Sequence, residues 1–209
     1  MKHSSIRELF EYWNARRGGR PAPERTDIEP GAIRRVLADT FILSFEPRVG
    51  HPFRIAGTRV CALFARELKG EAFLDLWSVD SRSDMRTLLA IVAEETVGVV
   101  ASVTGAGPGH PSTGHASTDQ ASTDHPSLGL ELLLLPLSHH GRSDARVLGA
   151  IAPSEPPVWI GRGTLRDLTV GTHRYVGATV DHARSVVPHP GRLLGRLRHG
   201  FVVYDGGQS

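Results

Sequence analysis

Cysteine and lysine are almost missing from this chain: Cys61 stands alone, and only two of the 24 lysines and arginines are lysine (Lys2 and Lys69). A single cysteine excludes an intramolecular disulfide and fits a reducing compartment. The basic charge is carried by arginine, yet the formal net charge is only +2. Arg184, Arg192, Arg196 and Arg198 are spread along the C-terminal segment without interleaved aromatics, so nucleic acid is not an expected partner. No apolar run approaches the roughly 20 residues that a membrane span needs. Met1-Lys2-His3 leads into an amphipathic pattern rather than a secretory signal, so the expected location is cytoplasmic, with no membrane partner. Recognisable catalytic motifs are also missing. There is no nucleophile elbow, no phosphate-cradling loop and no dinucleotide fingerprint, and Gly105 to Gly109 does not lead into a helix. The expectation is a protein that is not an enzyme.

What is present suffices for one globular domain with tails: 209 residues, 40% hydrophobic and 22% charged. Ser5 and Glu8 have capping-box spacing, and Ile6, Leu9, Phe10 and Trp13 recur at helical spacing. Arg16 to Arg20 closes that helix. Asp27-Ile28-Glu29-Pro30 predicts a second helix start, with Ile33, Val36 and Leu37 as its buried face. Strands are predicted at Thr40–Phe45 and Phe53–Ala56, and a short helix over Val60–Phe64. Asp80 or Ser81 should cap a longer helix through Met85, Leu88, Leu89 and Val92, followed by a strand over Val99–Thr104.

Residues 105 to 127 differ in kind. Three tandem five-residue units run from Pro111 to His125. Without large apolar residues they cannot offset the entropy of ordering, and a disordered hairpin insertion is expected. Leu128 to Leu137 then resumes as a strand apolar on both faces, Leu130, Leu132 and Leu134 on one and Leu133, Leu135 and Leu137 on the other. Such a strand needs cover on both sides, and the N-terminal helix is the expected outer cover. Ala145 to Ala152 reads as the last strand. The predicted layout is a helical cap over 1–39, a central domain over 40–157, an extension packing on it over 158–180, and a flexible basic tail over 181–209. That tail has an apolar Phe201 to Tyr204 as its candidate anchor.

The segments Leu9-Phe10-Glu11-Tyr12-Trp13, Arg20 to Pro23, Asp27-Ile28-Glu29-Pro30, Phe53-Arg54-Ile55-Ala56-Gly57-Thr58, Glu67-Leu68-Lys69-Gly70 and Leu132 to Leu137 follow one another in this order. Together they resemble a family of small bacterial single-PAS proteins, over about residues 5 to 175. The resemblance implies an α/β (α+β) PAS-like fold: a five-stranded antiparallel sheet with helices over one face, plus the N-terminal covering helix. It also implies signalling rather than chemistry.

Cys61 lies where flavin-reactive PAS domains carry their cysteine, but Arg59 to Phe64 lacks their Asn-Cys-Arg-Phe pattern, and a small buried thiol is the better reading. Asp80 to Val97 contains no histidine, which disfavours haem. His110, His115 and His125 owe their spacing to the repeat, and no first shell completes a metal site. Asp80, Asp84, Glu94 and Glu95 read as helix ends. No cofactor is expected, though an unidentified small molecule has a place in the scheme. Its pocket would be lined by Phe41, Leu43, Phe53, Ile55, Phe64, Trp77, Val99 and Leu133, with Arg54 or Arg59 as polar contacts. Ile6, Leu9, Phe10 and Trp13 are the candidate partner or dimer surface. Two functions follow: a sensor that binds a ligand inside and acts in trans on a partner, or a ligand-free scaffold that dimerises or joins proteins.

Overall fold

The computed structural model describes residues 1–108, 127–139, 142–177, 195–198 and 201–204. Helix α1 (Ser4–Arg17) is followed by short 3-10 turns at Arg25–Asp27, Pro30–Ile33 and Leu37–Asp39. Then come β1 (Thr40–Ser44), β2 (Phe53–Ala56), α2 (Thr58–Phe64), a 3-10 turn at Phe73–Leu76, and α3 (Val79–Glu94). Strands β3 (Gly98–Ala106), β4 (Ser127–His139), β5 (Arg142–Pro153) and β6 (Arg166–Val176) complete the main body. Its six strands form one antiparallel sheet in the order β2-β1-β5-β4-β3-β6.

The doubly apolar β4 divides the core in two. Leu130, Leu132 and Leu134 face an inner layer under α2 and α3, together with Phe41, Leu43, Val99 and Val147. Leu133, Leu135 and Leu137 face an outer layer with Ile42, Leu148, Ala150 and the α1 stripe. Ile6, Leu9 and Trp13 are all fully buried there. The indole Nε1 of Trp13 donates to the Pro136 carbonyl at 2.8 Å, which fixes the helix on the sheet. Fully burying such side chains is worth about 1.5–3 kcal/mol each, so the outer layer holds the helix far better than its intrinsic propensity could.

Several boundaries differ from the sequence reading. The cap of α1 is His3, whose Nδ1 accepts from the Ser5 N–H at 3.2 Å. Ser5 is itself buried by the stripe and does not cap. For α3 the cap is Ser78, whose Oγ accepts from the Ser81 N–H. Ser81 is buried, and its Oγ accepts instead from the Val170 N–H of β6. The expected second helix is two separate 3-10 turns, with Ile33 and Val36 buried but Leu37 exposed.

The sheet has six strands where five were expected. Leu165 and Leu168 are buried against the inner core, which draws β6 onto β3. This covers an edge that would otherwise present unpaired backbone groups. Part of β6's own free edge is closed by the Ser78 N–H, which donates to the Leu168 carbonyl at 2.9 Å. In the segment before β6, Trp159 and Ile160 pack partly against the inner core, while Val158 is exposed. The repeat over Pro111–His125 lies outside the described residues, as does most of 181–209. Within the latter, β7 (Gly195–Arg198) pairs with β8 (Phe201–Tyr204).

Candidate functional site

The inner layer is where the sequence placed a pocket, and six of the ten residues named for it do converge there. Phe41, Leu43, Phe53, Phe64, Trp77 and Val99 all belong to the inner core and are buried. They meet as packed side chains. The ring centroids of Phe41 and Phe53 are 5.5 Å apart, and those of Phe41–Phe73, Phe53–Phe73 and Phe73–Trp77 are each 5.6 Å apart. These are the separations of aromatic pairs in contact. Glycine at 149 permits this packing, since a Cβ there would lie 2.3 Å from the Phe41 ring.

The other four residues lie elsewhere. Ile55 was expected to face inward with Phe53, but it is 48% exposed. The cause is a bulge: Leu43 pairs with Phe53, yet Ile42 pairs with Ile55. One residue on β1 therefore spans two on β2. The extra residue is Arg54, and Ile55 turns to the outer face beside Ile42. Leu133 belongs to the outer layer beneath α1, as its alternation with Leu132 and Leu134 demands. Arg54 is exposed.

Arg59 contacts no pocket. Its Nε and Nη2 grip Asp39 at 2.6 and 2.7 Å. That hydrogen-bonded carboxylate raises the guanidinium pKa further above its usual range. Asp39 is buried, so the pair ties the turn before β1 to the start of α2. Gly57 allows this corner to close, because a Cβ there would meet the carbonyls of Leu37 and Ala38 at 2.4 and 2.3 Å.

The candidate partner surface also changes. Ile6, Leu9 and Trp13 are consumed by packing within the chain, and only Phe10 of the four keeps some exposure. Cys61 is buried as expected, with Sγ 3.9 Å from the Ala56 carbonyl and 3.8 Å from a Glu67 carboxylate oxygen.

An open cleft of about 730 Å³ lies on the outer side of the sheet, between residues Met1–Ser4 and strands β3, β4 and β6. Glu131 closes its floor, accepting from the backbone N–H groups of Lys2 and His3 at 2.9 and 2.7 Å. Ser102, Thr172 and Arg174 form the opposite wall. The sequence reading did not anticipate this cleft, because its walls come from four separated segments.

Among the described residues, no group of three or more His, Cys, Asp or Glu side chains is placed to hold a metal ion. None of the described helices is long and apolar enough to cross a membrane. No curated protein and no solved structure matches the chain. A family model described as PAS domain matches residues 1–152, a span that takes in the covering helix and the first five strands. With that match over more than half its length, and with the sheet order just described, the chain belongs to the PAS domain family.

Proposed function

We propose that this PAS domain is a signalling adaptor that acts through its surface on a partner, without an internal small-molecule ligand. PAS domains are sensory or signalling modules, and the chain shares that general role through its family. The observation that carries the finer reading is the aromatic cluster of the inner layer. Phe41, Phe53, Phe73 and Trp77 are each at most 1% exposed and occupy the space between sheet and helices. On this reading the domain acts by docking its surface on the partner.

Val99→Phe tests the reading, because Val99 is fully buried at the middle of the inner layer. In a filled core the larger ring overpacks and costs about 1–3 kcal/mol. Native mass spectrometry of the wild-type protein should give the mass of the polypeptide alone. A retained small molecule, together with a Val99→Phe variant that folds normally but no longer carries it, would establish an internal ligand and overturn the adaptor reading.

A further inference from the structure

Three arginines from distant parts of the sequence are placed at one end of the sheet. Arg146 lies on β5 between Ser44 of β1 and Leu137 of β4. Its side chain points outward, since Val147 is in the inner layer and Leu148 in the outer. Arg54 is the bulged residue of β2, the next strand beyond β1. A bulge of this kind re-aims its side chain. Arg25 sits in the first 3-10 turn, and that turn is held against the same end of the sheet by the Glu24–Ser138 bridge and by the Ser138 N–H donating to the Pro23 carbonyl at 2.9 Å.

None of the three arginines makes an ion pair with a described carboxylate. Arg25 donates to the Ile28 carbonyl at a long 3.4 Å. Arg146 has one nitrogen 3.1 Å from His139 Nε2, while its Nε is buried with no hydrogen-bond partner. A buried donor without an acceptor is uncommon in a folded protein and calls for an explanation. Burial first, and then the facing charges of Arg54 and Arg25, pull the Arg146 pKa below its usual range, with Glu46 opposing them only in part. Arg146 therefore feels the charge of Arg54 and that of Arg25.

We propose that Arg25, Arg54 and Arg146 form an oxyanion site on the outer face of the sheet, one that takes a phosphoryl group. Guanidinium forks match the oxygen spacing of phosphate and can bind it in bidentate fashion. Three converging cations favour a dianion over a single carboxylate. The site goes beyond the adaptor reading and is independent of the inner core.

The test is titration of the full chain with inorganic phosphate at pH 7.5 and constant ionic strength, using chloride as the matched control. Matching matters because salt screens exposed charges generally. The readouts are NMR shifts of the arginine Nε–H groups and the thermal midpoint. Wild type should saturate with phosphate and not with chloride. Arg54→Gln, at an exposed position, should weaken binding about tenfold or more, and Arg146→Gln should abolish it. Arg7→Gln, on the exposed side of α1, should bind as wild type does. Should Arg146→Gln fail to fold, Arg54→Gln and Arg25→Gln still decide the matter. Saturation unaffected by these two, or equal responses to phosphate and chloride, would overturn the site. Tighter binding of a phosphoserine peptide than of phosphate would place the group on a partner protein. Tighter binding of a mononucleotide would place it on a free metabolite, and either result supports the site.

Discussion

Acidification should weaken this fold at His51, whose pKa is pushed well below its ordinary value. Its side chain is only 1% exposed, beside the Phe45 ring at a centroid distance of 5.0 Å, and neither ring nitrogen has a hydrogen-bond partner. Burial, and secondarily the charge of Arg86, push its pKa from 6.5 down to about 4, with Glu46 opposing. The neutral imidazole is therefore the form the folded state accepts. The unfolded chain binds a proton near pH 6.5, while the folded chain resists it until about pH 4. The contribution of neutral His51 to stability is complete above pH 6.5, falls as the pH drops through that window, and levels off below about 4. At about 1.4 kcal/mol for each unit between the two values, the full loss is about 3.5 kcal/mol, of which about 3 kcal/mol has gone by pH 4.

The assay is urea denaturation at intervals between pH 7.5 and 4, on wild type and on His51→Phe. The variant keeps a ring of similar shape but cannot take up a proton. His51 has a positive φ of 58°, so the substitution costs some stability at every pH, and only the difference in slope is diagnostic. Wild type should lose up to about 3 kcal/mol more than the variant across the window. Parallel curves would refute the reasoning, as would an NMR titration showing His51 protonating near 6.5 in the folded state.

Other substitutions test the two layers and the corner between them. Trp13→Ala removes a fully buried ring and leaves the Pro136 carbonyl without its donor, so a loss of about 3–5 kcal/mol is expected in chemical denaturation. Gly57→Ala puts a methyl group against two backbone carbonyls, which cannot swing aside, and should lower stability by about 1–3 kcal/mol. Arg59→Ala leaves Asp39 buried without its partner and should cost about 1–3 kcal/mol, a loss that Asp39→Asn in the same chain should partly recover. Thermal melts of the single and double variants would show whether that recovery occurs.

The sequence was most legible where one periodicity served one surface. The i, i+3, i+7 stripe of Ile6, Leu9 and Trp13 could only belong to a buried helix, and the two apolar faces of β4 required cover on both sides. Both expectations hold in the structure. Alternation failed at Ile55, because a bulge leaves no mark in composition: Phe53-Arg54-Ile55 looks like regular β spacing until its pairing with β1 is known. The caps of α1 and α3 were misplaced for a related reason. Ser5 and Ser81 carry the right side chains to cap, but tertiary packing buries both, and residues two or three positions earlier cap instead. Six of the ten residues named for a pocket share the inner layer, yet no pattern of apolar residues distinguishes a lined cavity from a filled core.

From sequence alone one could read the PAS-like order of elements, the covering helix and the buried thiol, since each rests on local spacing or on residue character. Three features were decided only by folding: the aromatic cluster of the inner layer, the sixth strand on β3, and the placement of Arg25 and Arg54 within reach of the charge of Arg146. These depend on contacts between residues tens of positions apart, and their strength comes from which side chains the sheet's register brings face to face. A single bulged residue in β2 turns Ile55 out of the core and leaves Arg54 within reach of the charge of Arg146 on β5.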